Sequence, residues 1–332
     1  LILMDKSGKI VFNFNPQIAI RFMLEEKYIN LKRPFYTRLP SCFSGFVPSS
    51  LKKLIKLTIQ RNNKKNSPTF PDWPIEASVE LIRALFLNCL RTLGAKIDSV
   101  PNRFWPESKK FALVLTHDVD TMNGFKNIER IAKIENERGF VSTWFMLAKG
   151  YNKSEAVLGE LSCKGHEIAM HGDYHDNGMS FLSKEKLRSR FKKCSDYLQA
   201  YKIKGFRSPS LLHSSNLLDI LSELNLYDSS FPDTGKLSPF PNTVGCCSIF
   251  PYINNGVLEL PITLPLDSAL IFMKLAPEDM LKIWKIKAEW IRKIGGMLLL
   301  DTHPEPHFIA DSKYTQAYRS FLDFLSEYAD AW

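Results

Sequence analysis

From Lys110 onward the chain alternates short apolar runs with amphipathic stretches of helical period. Phe111 to Thr116 is an almost purely apolar run and predicts a buried strand. A helix is expected over 125–138, closed by Gly139. The pattern continues with a strand at 140–146, a helix at 155–163 and a strand at 167–170. Ser183 opens a long helix to about Tyr201; a short strand at 205–207 and a serine-capped helix at 214–224 follow. Further strands are expected at 248–250, 258–261 and 297–300, and long helices at 277–294 and 311–328. Such alternation predicts an α/β fold of parallel βα units, either a barrel or an open sheet. Polar clusters follow strand after strand, which favours a barrel, where catalytic groups gather at the C-terminal strand ends.

The first 108 residues read differently. A strand is expected at 9–13, a short helix at 16–26, then a stretch rich in proline and aromatics at 33–48. A loop at 67–74 leads into a helix at 75–93 that repeats Val79, Ile82, Leu85, Phe86, Cys89 and Leu90 on one face. We therefore divide the chain into an N-terminal accessory or lid region, 1–108, and a barrel, 109–332.

Composition narrows the class. Of 332 residues, 45% are hydrophobic and 24% charged, ordinary values for a folded protein. No apolar run is long enough to cross a bilayer. Asp5, Lys6 and Lys9 interrupt any signal-like apolar core, so the cytoplasm is the expected compartment, with peripheral membrane contact allowed. The six cysteines show no CxxC spacing and read mostly as buried thiols. A net charge of +9 arises partly from the basic segment Lys52 to Lys65. As a solvated helix or linker it needs no partner; as a functional surface it suits an anionic membrane. Nothing in it resembles a nucleic-acid motif, and no nucleic-acid partner is expected.

Three polar clusters carry the candidate chemistry: Thr116-His117-Asp118-Val119-Asp120, Gly165-His166-Glu167 through His171 to His175, and Leu300-Asp301-Thr302-His303-Pro304. Asp118 and Asp120, two apart, project to one side of an extended chain. His171 and His175, four apart, would adjoin on one helical turn. Two carboxylates and two imidazoles that converge are what a metal-assisted hydrolase requires. Blander roles fit other polar residues. His166 and His117 read as structural, and His213 and His307 as surface residues. Asp173 reads as exposed or as holding a histidine. Asp228 would position Arg207 or His303, or cap a turn. Tyr174, Trp144 and Phe206 suit either a ligand subsite or core packing.

In order, these motifs, with Ser142-Thr143-Trp144-Phe145, Gly205-Phe206-Arg207-Ser208-Pro209 and Tyr227-Asp228-Ser229-Ser230, resemble the polysaccharide deacetylase family. This is the NodB-homology or carbohydrate esterase family 4 domain, and the resemblance spans about 111 to 305. It implies a distorted (β/α) barrel, a divalent metal and hydrolysis of an acetamido group on a sugar. It implies Asp118 as catalytic base, His171 and His175 as metal ligands, Arg207 as the partner of the base and His303 as general acid. Asp228 is added to the catalytic set. The family's usual first motif is TFDDG, with the metal carboxylate next to the base; here that position is Val119. The resemblance is therefore to a D-x-D (THDVD-type) branch, with Asp120 as the ligand.

The chemistry is coherent without the family. One carboxylate and two imidazoles leave coordination positions open, as catalytic zinc sites do. Iron, cobalt and manganese suit the same set. The expected function is removal of an N-acyl group, N-acetyl first, from a sugar. The substrate would be a precursor, nucleotide- or lipid-linked, in bacterial surface polysaccharide or lipopolysaccharide synthesis. Deformylation, or hydrolysis of another non-peptide amide, uses the same machinery. His171, Asp173 and His303 imitate an iron(II) oxygenase triad, though on the wrong fold. A catalytically inactive carbohydrate-binding barrel is the remaining reading.

Overall fold

Alternate residues of the longest strands face two different layers, and this alternation builds the molecule. The computed structural model describes residues 2–4, 8–28, 70, 72–95, 104–235 and 245–332. The N-terminal part holds β1 (Ile2–Met4) and β2 (Ile10–Phe12), an antiparallel pair, then α1 (Pro16–Leu24) and α2 (Ser78–Thr92). There follow β3 (Ala112–Val119), α3 (Met122–Phe125), α4 (Ile128–Asn136), β4 (Thr143–Met146), α5 (Glu155–Cys163) and β5 (Glu167–Met170). Next come α6 (Lys184–Lys192), α7 (Ser195–Ala200), β6 (Gly205–Phe206), α8 (Ser215–Glu223) and β7 (Tyr227–Asp228). The chain ends with β8 (Tyr252–Asn254), β9 (Val257–Glu259), α9 (Asp267–Phe272), α10 (Pro277–Ile294), β10 (Met297–Thr302) and α11 (Ser312–Leu325).

The large sheet runs β10-β3-β4-β5-β6-β7-β9-β8 and is parallel except at β8–β9. It curls into a distorted barrel ringed by helices. Leu115, Val119, Trp144, Met146, Ile168, Met170, Phe206, Leu298 and Leu300 join Ile131, Leu158, Leu187, Leu221 and Trp284 in the outer core shared with those helices. The intervening positions face the interior. There Ala112, Met297 and Leu299 pack with Trp105, Leu211 and Ile262 in a smaller cluster. Where strand pairing lapses between β9 and β10, an irregular segment closes the wall. Thr263 N and Leu264 N donate to Leu299 O, and Leu299 N donates to Thr263 Oγ1 at 2.8 Å. Gly205 is required at its place, because a Cβ there would lie 2.3 Å from the Tyr227 ring that crosses the interior.

Several elements differ from the sequence reading. The helix expected at 125–138 is two pieces, and Asn127 at the break donates to Asn123 O and Pro304 O. The helix expected at 183–201 is likewise broken around Cys194, each piece burying its own apolar residues, Leu187 with Phe191 and then Tyr197. Residues 248–250 form no strand; Ser248 Oγ and Ile249 N donate to Glu80 of α2 instead. β7, β8 and α9 carried too few residues to show a period.

The N-terminal part docks on the barrel through polar anchors around a small apolar core. Phe70, Val79 and Cys247 are buried together with Ile20, Met23, Tyr28 and Trp73 around them. Gly245 N donates to Glu26 Oε1 at 2.7 Å and Tyr28 Oη donates to Gly245 O at 2.6 Å. His213, expected at the surface, is mostly buried and pairs with Glu26 Oε2 at 3.0 Å, because this docked segment covers it. Among the described residues no helix is long and apolar enough to cross a membrane. The basic segment Lys52 to Lys65 lies outside the described residues.

Candidate active site

β3 delivers the carboxylates as its alternation dictates. Thr116 and Asp118 face the barrel interior, while His117 and Val119 face the outer layer. Asp120 is the first residue past the strand and keeps the inward direction. His171 follows β5 directly and His175 sits in the loop beyond it. The four-residue spacing is expected to be a helical turn; it is instead a loop that begins at Gly172, whose φ of 73° is left-handed. That loop is pinned by Asp173, both of whose carboxylate oxygens accept from Arg190 while Oδ1 also accepts from Tyr174 N. Asp173 is therefore neither exposed nor bonded to a histidine, and the oxygenase-like triad does not assemble.

Asp120 Oδ1 stands 3.2 Å from His171 Nε2 and 3.3 Å from His175 Nε2. His171 Nδ1 lies 3.0 Å from the Arg207 carbonyl. A carbonyl only accepts, so Nδ1 carries the hydrogen and Nε2 turns its lone pair to the cluster. Asp120 Oδ1 is buried without a hydrogen-bond partner. Acceptor atoms crowded in this way call for a cation among them. Burial alone would lower the His171 pKa, but Asp118 and Asp120 outweigh it and raise it. The same negative field favours a metal ion. Asp120, His171 and His175 thus fit a divalent cation. Asp118, Asp301 and His303 also converge, but the first two share a fixed positive charge already.

That charge is Arg207, fully buried, with its guanidinium 4.1 Å from the Phe145 ring centroid. Nη1 donates to Asp118 Oδ1 at 3.0 Å, to Asp301 Oδ1 at 2.6 Å and to Thr116 Oγ1 at 3.0 Å. Nε and Nη2 donate to the carbonyl and hydroxyl of Ser229. Burial pushes the Asp118 pKa up, yet His171 and Arg207 outweigh it and hold the carboxyl below its ordinary value. Asp301, buried beside Asp118 on the same guanidinium, is pushed up despite Arg207. Of the two, Asp118 is the one that stays ionised and faces His171, its Oδ2 3.8 Å from Nε2.

His303 follows β10, the parallel neighbour of β3, and so emerges at the same end of the sheet as the carboxylates. Its Nδ1 meets Asp267 Oδ1 at 2.7 Å, and its backbone N donates to Asp267 Oδ2 at 2.9 Å. Burial works against a charged imidazole, but Asp267 and Asp301 outweigh it and raise the pKa well above its ordinary value. Nε2 is left for the pocket.

Asp228 is placed elsewhere. It accepts from Ser230 Oγ at 2.6 Å and shares a proton-bearing contact with Glu259, and burial raises both pKa values. The hydrogen bonds of Arg207 and His303 go to other groups, so Asp228 does not position either, contrary to expectation. The β-sheet alternation turns it away. His117 and His166 are structural as expected: His117 is stacked on Trp144 and bonded to Glu135 and Thr302, and His166 Nδ1 accepts from Ser142 N. Trp144 and Phe206 are core residues, and Tyr174 is not among the residues lining the pocket.

Two carboxylates escaped sequence reasoning. Asp267 lies in Leu266-Asp267-Ser268, far from any motif, and nothing in the sequence ties it to His303. Glu305 stood two residues past His303, and an acid so close to a motif histidine was a signal. Its Oε1 accepts from Asp120 N, Thr121 N and Thr121 Oγ1.

These groups open on a pocket of about 340 Å³. Leu211, Leu266, Phe272, Met273 and Phe308 give it an apolar wall, and Trp73 enters from the N-terminal part. Ser210 and Leu211 on its rim both hold left-handed backbone, φ 56° and 55°, the kind of strain that a formed site retains. His307 is exposed, as expected, and lines the mouth.

Residues 106–228 match the family model described as Polysaccharide deacetylase. Among curated proteins, none matches the chain. Solved structures share the fold. A Mycobacterium smegmatis protein provisionally designated a polysaccharide deacetylase superposes with a TM-score of 0.57 at 20% identity, over 71% of this chain and 91% of its own. A similarly designated protein from Pseudomonas aeruginosa PAO1 gives 0.57 at 15% identity, over 72% and 94%. The Puue allantoinase gives 0.56 at 15% identity, over 71% and 90%.

Proposed function

From the match of residues 106–228 to the polysaccharide deacetylase family model, we propose that this protein is a divalent-metal hydrolase that removes an N-acyl group, N-acetyl first, from a sugar. The observation that carries the reading is the convergence of Asp120 Oδ1 with the Nε2 atoms of His171 and His175, between an anchored carboxylate and an anchored imidazole.

Asp120, His171 and His175 would hold the ion. A divalent ion there supplies Lewis-acid polarisation of the amide carbonyl and makes water more acidic. Asp118, kept ionised by Arg207, accepts the proton of the attacking water. Its neighbour Asp301 sits on the same guanidinium but has its pKa raised by burial, so Asp118 is the better placed of the two to act as base. His303, kept protonated by Asp267, delivers a proton through Nε2 to the departing amine. The apolar wall excludes water and suits the acyl methyl and the apolar faces of a sugar ring. Zinc suits the donor set best, and iron, cobalt and manganese are the next candidates.

The division at residue 108 stands with this proposal, with a refinement. The family match begins at 106, but Trp73 reaches the pocket and Trp105 packs in the barrel interior, so the accessory region helps to build the site. A nucleotide- or lipid-linked sugar on the way to a surface polysaccharide is the proposed substrate. The Lys52 to Lys65 charge would then serve an anionic carrier or membrane surface. Cytoplasmic location belongs to the same proposal.

The test is elemental analysis of wild type beside His171→Ala and Asp120→Ala, with acetate release from N-acetylated sugars. About one ion per chain, lost in both variants together with acetate release, supports the reading. An ion lost only with His171 removes Asp120 from the site. A wild type that holds no ion after zinc, iron or cobalt is added sinks the hydrolase reading and favours the binding-only barrel.

A further inference from the structure

The β3 ladder ends one residue too early for the metal. Its pairing with β4 stops at Val119↔Met146, so Asp120 projects from the strand end without a ladder bond on that side. The family's usual motif keeps the metal carboxylate next to the base, where this chain has Val119 buried in the outer core. Moving the carboxylate one position out restores its direction but removes its backbone support. A single backbone rotation at Asp120 would swing Oδ1 away from both imidazoles.

Glu305 supplies that support. It rises from the loop after β10, the parallel neighbour of β3, and is 3% exposed. Its Oε1 accepts from Asp120 N at 3.0 Å and from Thr121 N at 3.1 Å, with Thr121 Oγ1 at 3.4 Å. Gly124 leaves room for it: a Cβ there would lie 2.3 Å from Oε1 and 2.7 Å from the carboxyl carbon. Tyr151 Oη meanwhile holds Val119 O at 2.8 Å, so the chain is fixed on both sides of the Val119–Asp120 peptide. Glu305 is absent from the groups whose ligand atoms converge for a cation.

We infer that Glu305 is a positioning residue for the metal: it clamps the Asp120–Thr121 backbone so that Asp120 Oδ1 faces His171 and His175. The inference rests on the hydrolase reading for the metal, and on the hydrogen bonds for the clamp. It also couples the two halves of the site, because the same short loop carries His303 and the clamp.

The experiment measures Zn²⁺ affinity by chelator competition, and the Co²⁺ absorption spectrum, for wild type, Glu305→Gln, Glu305→Asp and Glu305→Ala. Asp120→Ala is the reference for a lost ligand, and circular dichroism reports folding. Glu305→Gln keeps an oxygen acceptor at full reach and should bind Zn²⁺ as wild type does, with the same Co²⁺ spectrum. Glu305→Asp, one methylene short, and Glu305→Ala should each weaken Zn²⁺ binding roughly 10–100-fold and alter the spectrum. Wild-type affinity in a folded Glu305→Ala or Glu305→Asp overturns the clamp alone. A Glu305→Gln as weak as Glu305→Ala also overturns it, since charge and not hydrogen bonding would then matter. A wild type that binds neither ion overturns the hydrolase reading and the clamp with it.

Discussion

One carboxylate holds His303 at two points. Asp267 accepts from the His303 backbone N at 2.9 Å through Oδ2 and meets Nδ1 at 2.7 Å through Oδ1. The ring can neither flip nor leave the pocket rim without breaking a buried, charge-assisted bond. The proposed acid is thus fixed in place and in protonation state by a residue 36 positions away.

The pH profile should show this. A raised His303 pKa means that the proton-donating form persists through neutral pH and activity falls only as pH climbs through the raised value. Asp267→Asn should move that alkaline fall to lower pH and reduce kcat. His303→Ala should lower kcat by roughly 10²–10⁴-fold and abolish the limb. Rate profiles of the three proteins decide it; an alkaline limb unmoved in Asp267→Asn would take Asp267 out of the mechanism.

Arg207 should matter for stability as much as for the proposed chemistry. Replacing it with methionine strands Asp118 and Asp301 side by side in the barrel interior. Breaking a buried pair in this way costs about 3–5 kcal/mol. Arg207→Lys should recover part of the charge but none of the fork that also bonds Ser229. Denaturant unfolding of both variants measures the loss, and a drop below about 1 kcal/mol for Arg207→Met would show the carboxylates relaxing to neutrality at no cost.

Docking of the N-terminal part should weaken in alkali. His213, stacked on Phe231 and paired with Glu26, has its pKa raised from 6.5 because Glu26 outweighs the effect of burial. A group whose folded-state pKa is raised contributes stability in full below its unfolded value of 6.5, and that contribution is lost as pH rises through the folded value. Wild type should therefore lose more melting temperature than His213→Gln between about pH 6 and about pH 9. Parallel curves for the two proteins would show that the pair contributes no pH-dependent stability.

Trp73 should act on substrate, not on chemistry. It lines the pocket from the accessory region and is none of the residues proposed as base, acid or ligand. Trp73→Ala should raise KM for an N-acyl sugar roughly tenfold, about the worth of a good aromatic contact, with kcat and metal content nearly unchanged. Trp73→Phe should recover much of it. A fall in kcat at constant KM would instead mean that Trp73 shapes the reacting geometry.

Much of the barrel was legible because its elements are long or bounded. The helices at 155–163 and 277–294 and the strand at 167–170 fall where period, caps and breakers placed them. The two-residue strands β6 and β7 are held by neighbours and carry almost no period of their own. The strand expected at 248–250 failed because Ile249 N is taken by Glu80 and Phe250 N by Ser248 Oγ, which leaves only Ile249 O to meet β10 through Met297 N. Within the site, the convergence of Asp118, Asp120, His171 and His175 was readable, but the helical turn proposed for the histidines was a loop held by Asp173 and Arg190.

By itself the sequence determined the βα alternation, the inward direction shared by Asp118 and Asp120, and the order of the motif residues. These are local: a period of two or of 3.6 and a few breakers set them, whatever the rest of the chain does. Only the tertiary structure decided which groups hold the site together. Asp267 on His303, Glu305 on Asp120, Asp301 beside Asp118 and Trp73 in the pocket are contacts between segments far apart in the chain. Such pairings follow from how the barrel closes and which rim each loop reaches, and no local pattern records them.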